Sequence, residues 1–196
     1  MEIFALISII IAYLLKLIYP KLKGQIGEIN VKNELNKLGN EYKVFNDLLI
    51  YSDNKTHQID HAVVSKYGIF VIETKNYSGK IVGNINDKEW TQYIGKKVNK
   101  MKNPIIQNHG HVLALKDITK ESLNSFISIV CFHDNVELKI NNNNNVIKLS
   151  NLNKSIKEHK KVIIKDKDKV IDIINNNNIV DKEIRKKHVK DIKKKT

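Results

Sequence analysis

The chain has 196 residues, a formal net charge of +13 and a hydrophobic fraction of 41%, enough apolar material for one buried core plus additions. The charge favours an anionic partner, either nucleic acid or an acidic membrane surface. Cys131 is the single cysteine and sits in an apolar run, which excludes a disulfide framework and a cysteine zinc motif and reads as a buried thiol.

In chain order, the first predicted element is apolar: between Ile3 and Tyr19 only Lys16 is charged. At ~1.5 Å per residue the run spans about 25 Å, the short end for a bilayer. Glu2 without a basic residue beside it, and no small-x-small site downstream, argue against a cleaved signal peptide. Residues 1–20 therefore read as a single transmembrane anchor that Pro20 ends. Lys16, Lys21 and Lys23 on its C-terminal flank place the following domain in the cytoplasm.

A helix is expected from Gly24 or Gln25 to Leu38. Its apolar stripe is Ile26, Val31, Leu35 and Leu38, and Glu28 in its first turn is favoured by the helix dipole. Tyr42 to Tyr51 reads as a strand, and Gln58 to Ser65 as the next. On a regular strand His57 and His61 share the face opposite Asp60, which argues against a His-Asp-His zinc site. Gln58 shares the Asp60 face. Beyond Lys75, Lys80 to Asn86 reads as a strand. Trp90 is either a core cover or a base-stacking surface. Lys96, Lys97, Lys100 and Lys102 are either phosphate ligands or a solvated loop. Asn103 and Pro104 supply the N-cap and first position of a helix running to Ile118. Ser125 to Phe132 is a fully apolar strand, Asn141 to Asn145 a low-complexity loop, and Val146 to Leu149 a short strand. Helices follow from Ser150 and from Lys167. Residues 134–180 form an extension packing on the domain, and 181–196 a basic, helical, solvent-facing tail.

The stretch Gln58 to Lys75 carries the chemistry. Two β-type runs, Ile59 to Ser65 and Ile69 to Lys75, flank a tight Lys66-Tyr67-Gly68 turn, the pattern of a hairpin. Alternation puts Glu73 and Lys75 on one face, and the turn places Asp60 roughly opposite Glu73 to Lys75. Two adjacent carboxylates repel unless a cation lies between them. Mg²⁺ takes one or two carboxylates plus water and phosphate oxygens, and a neighbouring lysine can hold a water or offset phosphate charge. The spacing thus suits metal-assisted phosphodiester hydrolysis. A Glu-x-Lys taken alone also fits a solvated salt bridge on an edge hairpin.

Gly27-Glu28, Asn46-Asp47, Gln58-Ile59-Asp60-His61, the run Gly68 to Asn76, Gly79-Lys80-Ile81, Trp90 and Asn103-Pro104-Ile105-Ile106-Gln107-Asn108 occur in an order and spacing that resembles the nuclease-related domain (NERD) family. That family looks like a branch of the PD-(D/E)xK nuclease superfamily, and the resemblance covers about Lys23 to Phe132, with 23–133 as the domain. It implies a restriction-endonuclease-like α/β fold, a mixed sheet with flanking helices. It also implies an active-site role for Glu28 and Gln107 beside Asp60, Glu73 and Lys75. Asp60, Glu73 and the Thr74 carbonyl are then the ligands of Mg²⁺ or Mn²⁺. The expected substrate is DNA, with RNA open, and the expected setting is the cell membrane through residues 3–19. A non-catalytic DNA-binding or tethering module, or a membrane-bound scaffold, are the alternatives.

Overall fold

A computed structural model describes residues 2–141 and 145–193. The asparagine run at 142–144 and the tail end at 194–196 lie outside the described residues. Helix α1 is Glu2–Leu35, followed by strands β1 Lys43–Ser52, β2 Lys55–Ser65, β3 Gly68–Lys75, β4 Gly79–Asn84, β5 Glu89–Ile94 and β6 Lys97–Lys102. Helix α2 (Pro104–Thr119) leads to β7 (Phe126–Phe132), β8 (Val136–Asn141) and β9 (Val146–Lys148). The chain closes with helices α3 Leu152–Glu158, α4 Lys167–Asn177 and α5 Lys182–Lys193.

Two sheets form, a five-stranded one in the order β1-β2-β3-β7-β9 and a four-stranded one in the order β6-β5-β4-β8. The expected hairpin is β2-β3, antiparallel, with Ser65 opposite Gly68 and His61 opposite Ile72. Strand β3 pairs in parallel with β7, and helix α2 lies in the connection between them, as parallel strands require. Each face of the five-stranded sheet is covered. Ile69 and Val71 point to the α2–α4 side with Val112, Leu115 and Ile174. Phe70 and Ile72 point to the other side with Val31, Leu35 and Ile156. The fold is thus α/β with mixed sheets and flanking helices, and the buried run Ile69 to Ile72 is its middle.

Several expectations are corrected. Pro20 does not end the first helix, which runs unbroken through it to Leu35. An interior proline removes one backbone hydrogen bond and crowds the carbonyl one turn back, yet here the residues on both sides stay helical. The transmembrane span is not supported: among the described residues no helix is long and apolar enough to cross a membrane. The apolar half of α1 carries Lys16 and gives way to a polar half from Lys21, so it falls short of the ~20 apolar residues a bilayer core requires. The lysine stretch Lys96 to Lys102 is not a loop: Lys97, Lys100 and Lys102 lie on β6, which pairs with β5 in a hairpin turned at Gly95 with φ 55°. Its alternation is hidden in sequence because most of β6 is exposed and lysine-rich. Trp90 is core: it is fully buried, stacks on Phe132 with ring centroids 6.4 Å apart, and its Nε1 donates to the Asn84 carbonyl at 2.8 Å. Gly83 is small because a Cβ there would collide with the Trp90 ring.

Candidate functional site at the splayed end of the central hairpin

The β2-β3 ladder stops at His61–Ile72, one residue short of the position where Asp60 faces Glu73. There the strands part. The Asp60 carboxylate takes the place of a ladder carbonyl and accepts the Thr74 backbone N–H at 2.8 Å. On the other side of β2, the β1-β2 register skips Asp47, which adopts φ 51°. A left-handed residue inside a strand is uncommon, and Asp is among the few side chains that tolerate it. Its effect is a change of face in both strands. Phe45 and Leu48 reach the same core, as do Ile59 and Ala62, although regular alternation would separate them.

This kink corrects the reading of the histidines. His57 and His61 do not share a face. His57 lies on the α2 side, its ring centroid 6.5 Å from that of His111. His61 lies on the α1 side, where its Nδ1 is 2.7 Å from the Asn46 side-chain oxygen and its other nitrogen is buried without a partner. Burial holds the His61 pKa down at about 4, so the ring is neutral near pH 7. Gln58 sits at the kink and donates to the Asp47 carboxylate at 2.9 Å.

Helix α2 brings in the other side of the site. Asn103 caps it by accepting the Ile105 N–H and donates to the carbonyls of Ile85 and Asp87, tying it to the loop after β4. Asn108, fully buried, donates to the carbonyls of Val71 and Ile129, tying the same helix to β3 and β7. Held at both points, the helix presents Gln107 to Lys75, whose Nζ donates to Gln107 Oε1 at 3.1 Å. One turn on, His111 Nε2 lies 3.3 Å from Glu73 Oε2, close enough for attraction but not aligned as a hydrogen bond. Lys75 Nζ donates to the other oxygen, Glu73 Oε1, at 2.6 Å. His111 is therefore a site neighbour, as its i+4 spacing from Gln107 on one helix face allows.

Helix α1 closes the opposite side. Gly27 passes against Asn76 so tightly that an added Cβ would lie 2.6 Å from the Asn76 Cβ. Asn76 Nδ2 also donates to the Lys23 carbonyl. That crossing sets Glu28 at a cleft of about 400 Å³ whose lining includes Asp47, Asp60, His61 and Lys32. The structure thus gathers Glu28, Asp60, Glu73, Thr74, Lys75 and Gln107 at one end of the central hairpin.

The electrostatics are those of crowded acids. Glu73 is 2% exposed. Burial alone would raise its pKa, but His111 and the Lys75 ammonium outweigh that and hold it down, so Glu73 is ionised. Asp60 bears the consequence: burial first, then the Glu73 charge, push its pKa up to about 8. Burial and the charges of Asp47 and Glu73 also raise Glu28. Lys75 stays protonated because the neighbouring Glu73 outweighs the effect of its own burial. The second Glu73 oxygen is buried without a hydrogen-bond partner. Among the described residues no group of three or more His, Cys, Asp or Glu converges as a metal cage.

The chain is thus an α/β domain with a parallel strand pair and a splayed hairpin end, where buried Glu73 sits beside half-buried Asp60 and Lys75. The family model described as the nuclease-related domain matches residues 23–133, more than half of the chain, and the chain belongs to that family. It is also 36% identical over 179 residues to an uncharacterized protein of Bacillus anthracis, covering 87% of this chain and 84% of the relative. No solved structure matches significantly.

Proposed function

We propose that the protein is a metal-dependent nuclease that hydrolyses DNA phosphodiester bonds at the Asp60–Glu73–Lys75 site. The observation that carries the reading is the buried, unpartnered Glu73 oxygen beside an Asp60 that favours its proton. Such a pair lacks one positive charge, and two carboxylates fit an ion that takes only one or two carboxylates and completes its shell with water and substrate oxygens. Asp60, Glu73 and the Thr74 carbonyl would hold Mg²⁺ or Mn²⁺. Bound there, the metal supplies charge neutralisation at the scissile phosphate and lowers the pKa of a bound water.

The chain's own residues do the rest. Lys75, fixed between Glu73 and Gln107, points an ammonium at the developing negative charge on phosphate, and its buried setting strengthens that interaction. Gln107 fixes the lysine's direction. His111 steadies the far oxygen of Glu73. Glu28, whose raised pKa eases protonation, holds or moves a proton on the α1 side of the cleft.

The test is cleavage of linear, supercoiled and single-stranded DNA and of RNA by the full chain, with Mg²⁺, with Mn²⁺ and with EDTA, beside Glu73→Gln and Lys75→Met. Metal-dependent cleavage lost in both variants supports the reading. A folded protein that binds DNA but never cuts it would make it a binding or tethering module.

The first half of α1 supports a companion reading. Phe4, Ile9, Tyr13, Leu15 and Tyr19 are each more than half exposed. Attachment of this half to a membrane surface, with the domain on the cytoplasmic side, would cover them. Flotation with lipid vesicles, compared with a chain lacking residues 2–19, tests it.

A further inference from the structure

The C-terminal helix lies beyond the nuclease-related domain and is held against the site by the chain's sole arginine. Arg185 donates through Nη1 to the Asp47 carboxylate at 2.9 Å and through Nη2 to the Asp47 carbonyl at 2.8 Å. Its Nε donates to the carbonyl of Ile179 at 2.8 Å. Two further bonds seat the preceding segment on the edge of β1, from Ile179 N–H to the Leu49 carbonyl and from the Leu49 N–H to Asn178 Oδ1. Farther along, buried His188 meets Thr56 on β2, Nδ1 to Oγ1 at 2.7 Å. Helix α5 therefore starts at Asp47, on the rim of the acidic cleft, and runs out along the β1-β2 hairpin. The tail, whose lysine-rich sequence suits either plain solvation or an anionic lipid or nucleic acid, is docked on one side.

The docked side carries Arg185 and His188. The stripe Lys182, Lys186 and Lys190, at i, i+4 and i+8, occupies a different face and is exposed. Of the three only Lys186 has an acidic partner, the exposed Glu183 at 2.7 Å, and a pair so exposed yields readily to a competing anion. Lys187, the next residue round, lines a groove of about 770 Å³ with Lys55 on the hairpin.

This placement answers a problem set by the cleft. Glu28, Asp47 and Asp60 line it, so its rim repels a phosphate backbone, and Lys32 is the one lysine in the lining. A polyanion reaches such a site only if cations beside it hold the flanking phosphates. We infer that the Lys182–Lys186–Lys190 stripe of α5 is a phosphate rail for double-stranded DNA, fixed in register with the cleft by the Arg185–Asp47 clamp. The inference rests on the proposed nuclease reading and extends it to residues outside the family domain.

The test is binding of a short DNA duplex to the full chain in EDTA, followed by fluorescence anisotropy between about 50 and 200 mM salt. The wild type is compared with K182Q/K186Q/K190Q and with K154Q/K157Q/K160Q, which removes the same charge from exposed positions at and beside α3. Glutamine keeps helix propensity, and circular dichroism checks that each variant folds. The expected result is a wild-type slope of log affinity against log salt that becomes shallower by about 2 to 3 in the stripe variant, at ~0.9 per lost phosphate contact. Affinity then falls roughly tenfold or more at the lower salt, and the α3 variant stays near wild type. A stripe variant with the wild-type slope overturns the rail while leaving the nuclease reading in place. Equal losses in both variants also overturn it, as an effect of net charge alone. So does lost binding to phosphatidylserine vesicles with DNA binding intact, which would make α5 a lipid surface. Wild-type protein that neither binds nor cuts DNA removes the nuclease reading and the rail with it.

Discussion

In the four-stranded sheet, buried polar groups have destinations: Trp90 Nε1 reaches the Asn84 carbonyl and Gln92 Nε2 the Ser78 carbonyl at 2.9 Å. Among the described residues, none of the buried side-chain atoms left without a partner lies in its strands. At one end of the five-stranded sheet such atoms gather on His57, His61, Glu73 and Thr74, with His111 on α2 beside them. Buried polar groups without partners cost free energy, so their concentration at one place needs something to offset it. The first sheet is scaffold, and its polar groups fix geometry. The second pairs its hydrophobic strands and then opens them, leaving Asp60 and Glu73 crowded at the splayed end.

The largest expected effect breaks the second region alone. Glu73→Gln keeps the side-chain shape and removes the charge that Lys75 and His111 address. Cleavage should fall by about 10³-fold or more, the loss of several kcal/mol of charge stabilisation. The melting temperature should fall by much less than the rate, because the folded state favours the Glu73 charge and Lys75 loses its partner. A Glu73→Gln protein that cuts at the wild-type rate would refute the site. Trp90→Ala strikes the first region and should reverse the pattern. It should cost about 3–5 kcal/mol in denaturant unfolding, yet leave the rate per folded molecule within a small factor. Loss of catalysis in the folded fraction would show that the two sheets are not functionally separate. Asn108→Ala lies between them. It strips a donor from the Val71 and Ile129 carbonyls behind the site and should cost about 1–3 kcal/mol, with a modest loss of rate as α2 shifts Gln107 and His111.

The two regions also differ in how far the sequence discloses them. The β2-β3 hairpin is legible because Ile69 to Lys75 is β-branched and aromatic and Gly68 supplies a turn with φ 145°. Counting back from that turn brings Asp60 opposite Glu73, and the register His61–Ile72 agrees. The four-stranded sheet is mostly illegible. Lysines on β6 and the alternating charges of β8 resemble solvated loops, since an edge or exposed strand need not display an apolar face. The kink at Asp47 is hidden for another reason. A left-handed Asp is permitted but not demanded by its side chain, so Asn46-Asp47 hints at the conformation and cannot establish it. From that one torsion follow the separated histidines and the cleft between β1 and α1. The clamp by Arg185 is longer in range still, joining residues 138 positions apart, and no local pattern foretells it.

The smallest effect is a matter of pH, and it reads the open sheet end directly. The Asp60 pKa is raised in the folded protein to about 8, against an ordinary value of 3.8. Folding therefore favours its protonated form. Its contribution to stability is fully present below about pH 4 and is lost as pH rises toward 8, with a slope of at most ~1.4 kcal/mol per pH unit. Glu73 works in the opposite sense: its lowered pKa gives stability that is present above its ordinary 4.5 and is lost as pH falls through the lower folded value. Between about pH 5 and 8 the Asp60 effect varies throughout, while His61, neutral in the fold, loses stability only as pH falls below about 6.5, a change that wild type and an Asp60 variant share. Asp60→Asn imitates the protonated acid and keeps an oxygen for the Thr74 N–H. In EDTA the variant should match wild type below about pH 4 and exceed it in melting temperature increasingly toward pH 8. Added Mg²⁺ should reverse the order, stabilising wild type more at pH 8 than at pH 6, where a proton competes for the same carboxylate, and Asp60→Asn little at either. Parallel melting curves for the two proteins across that range, with and without Mg²⁺, would mean that Asp60 is an ordinary ionised carboxylate and that the crowding of acids at the hairpin end does not govern what binds there.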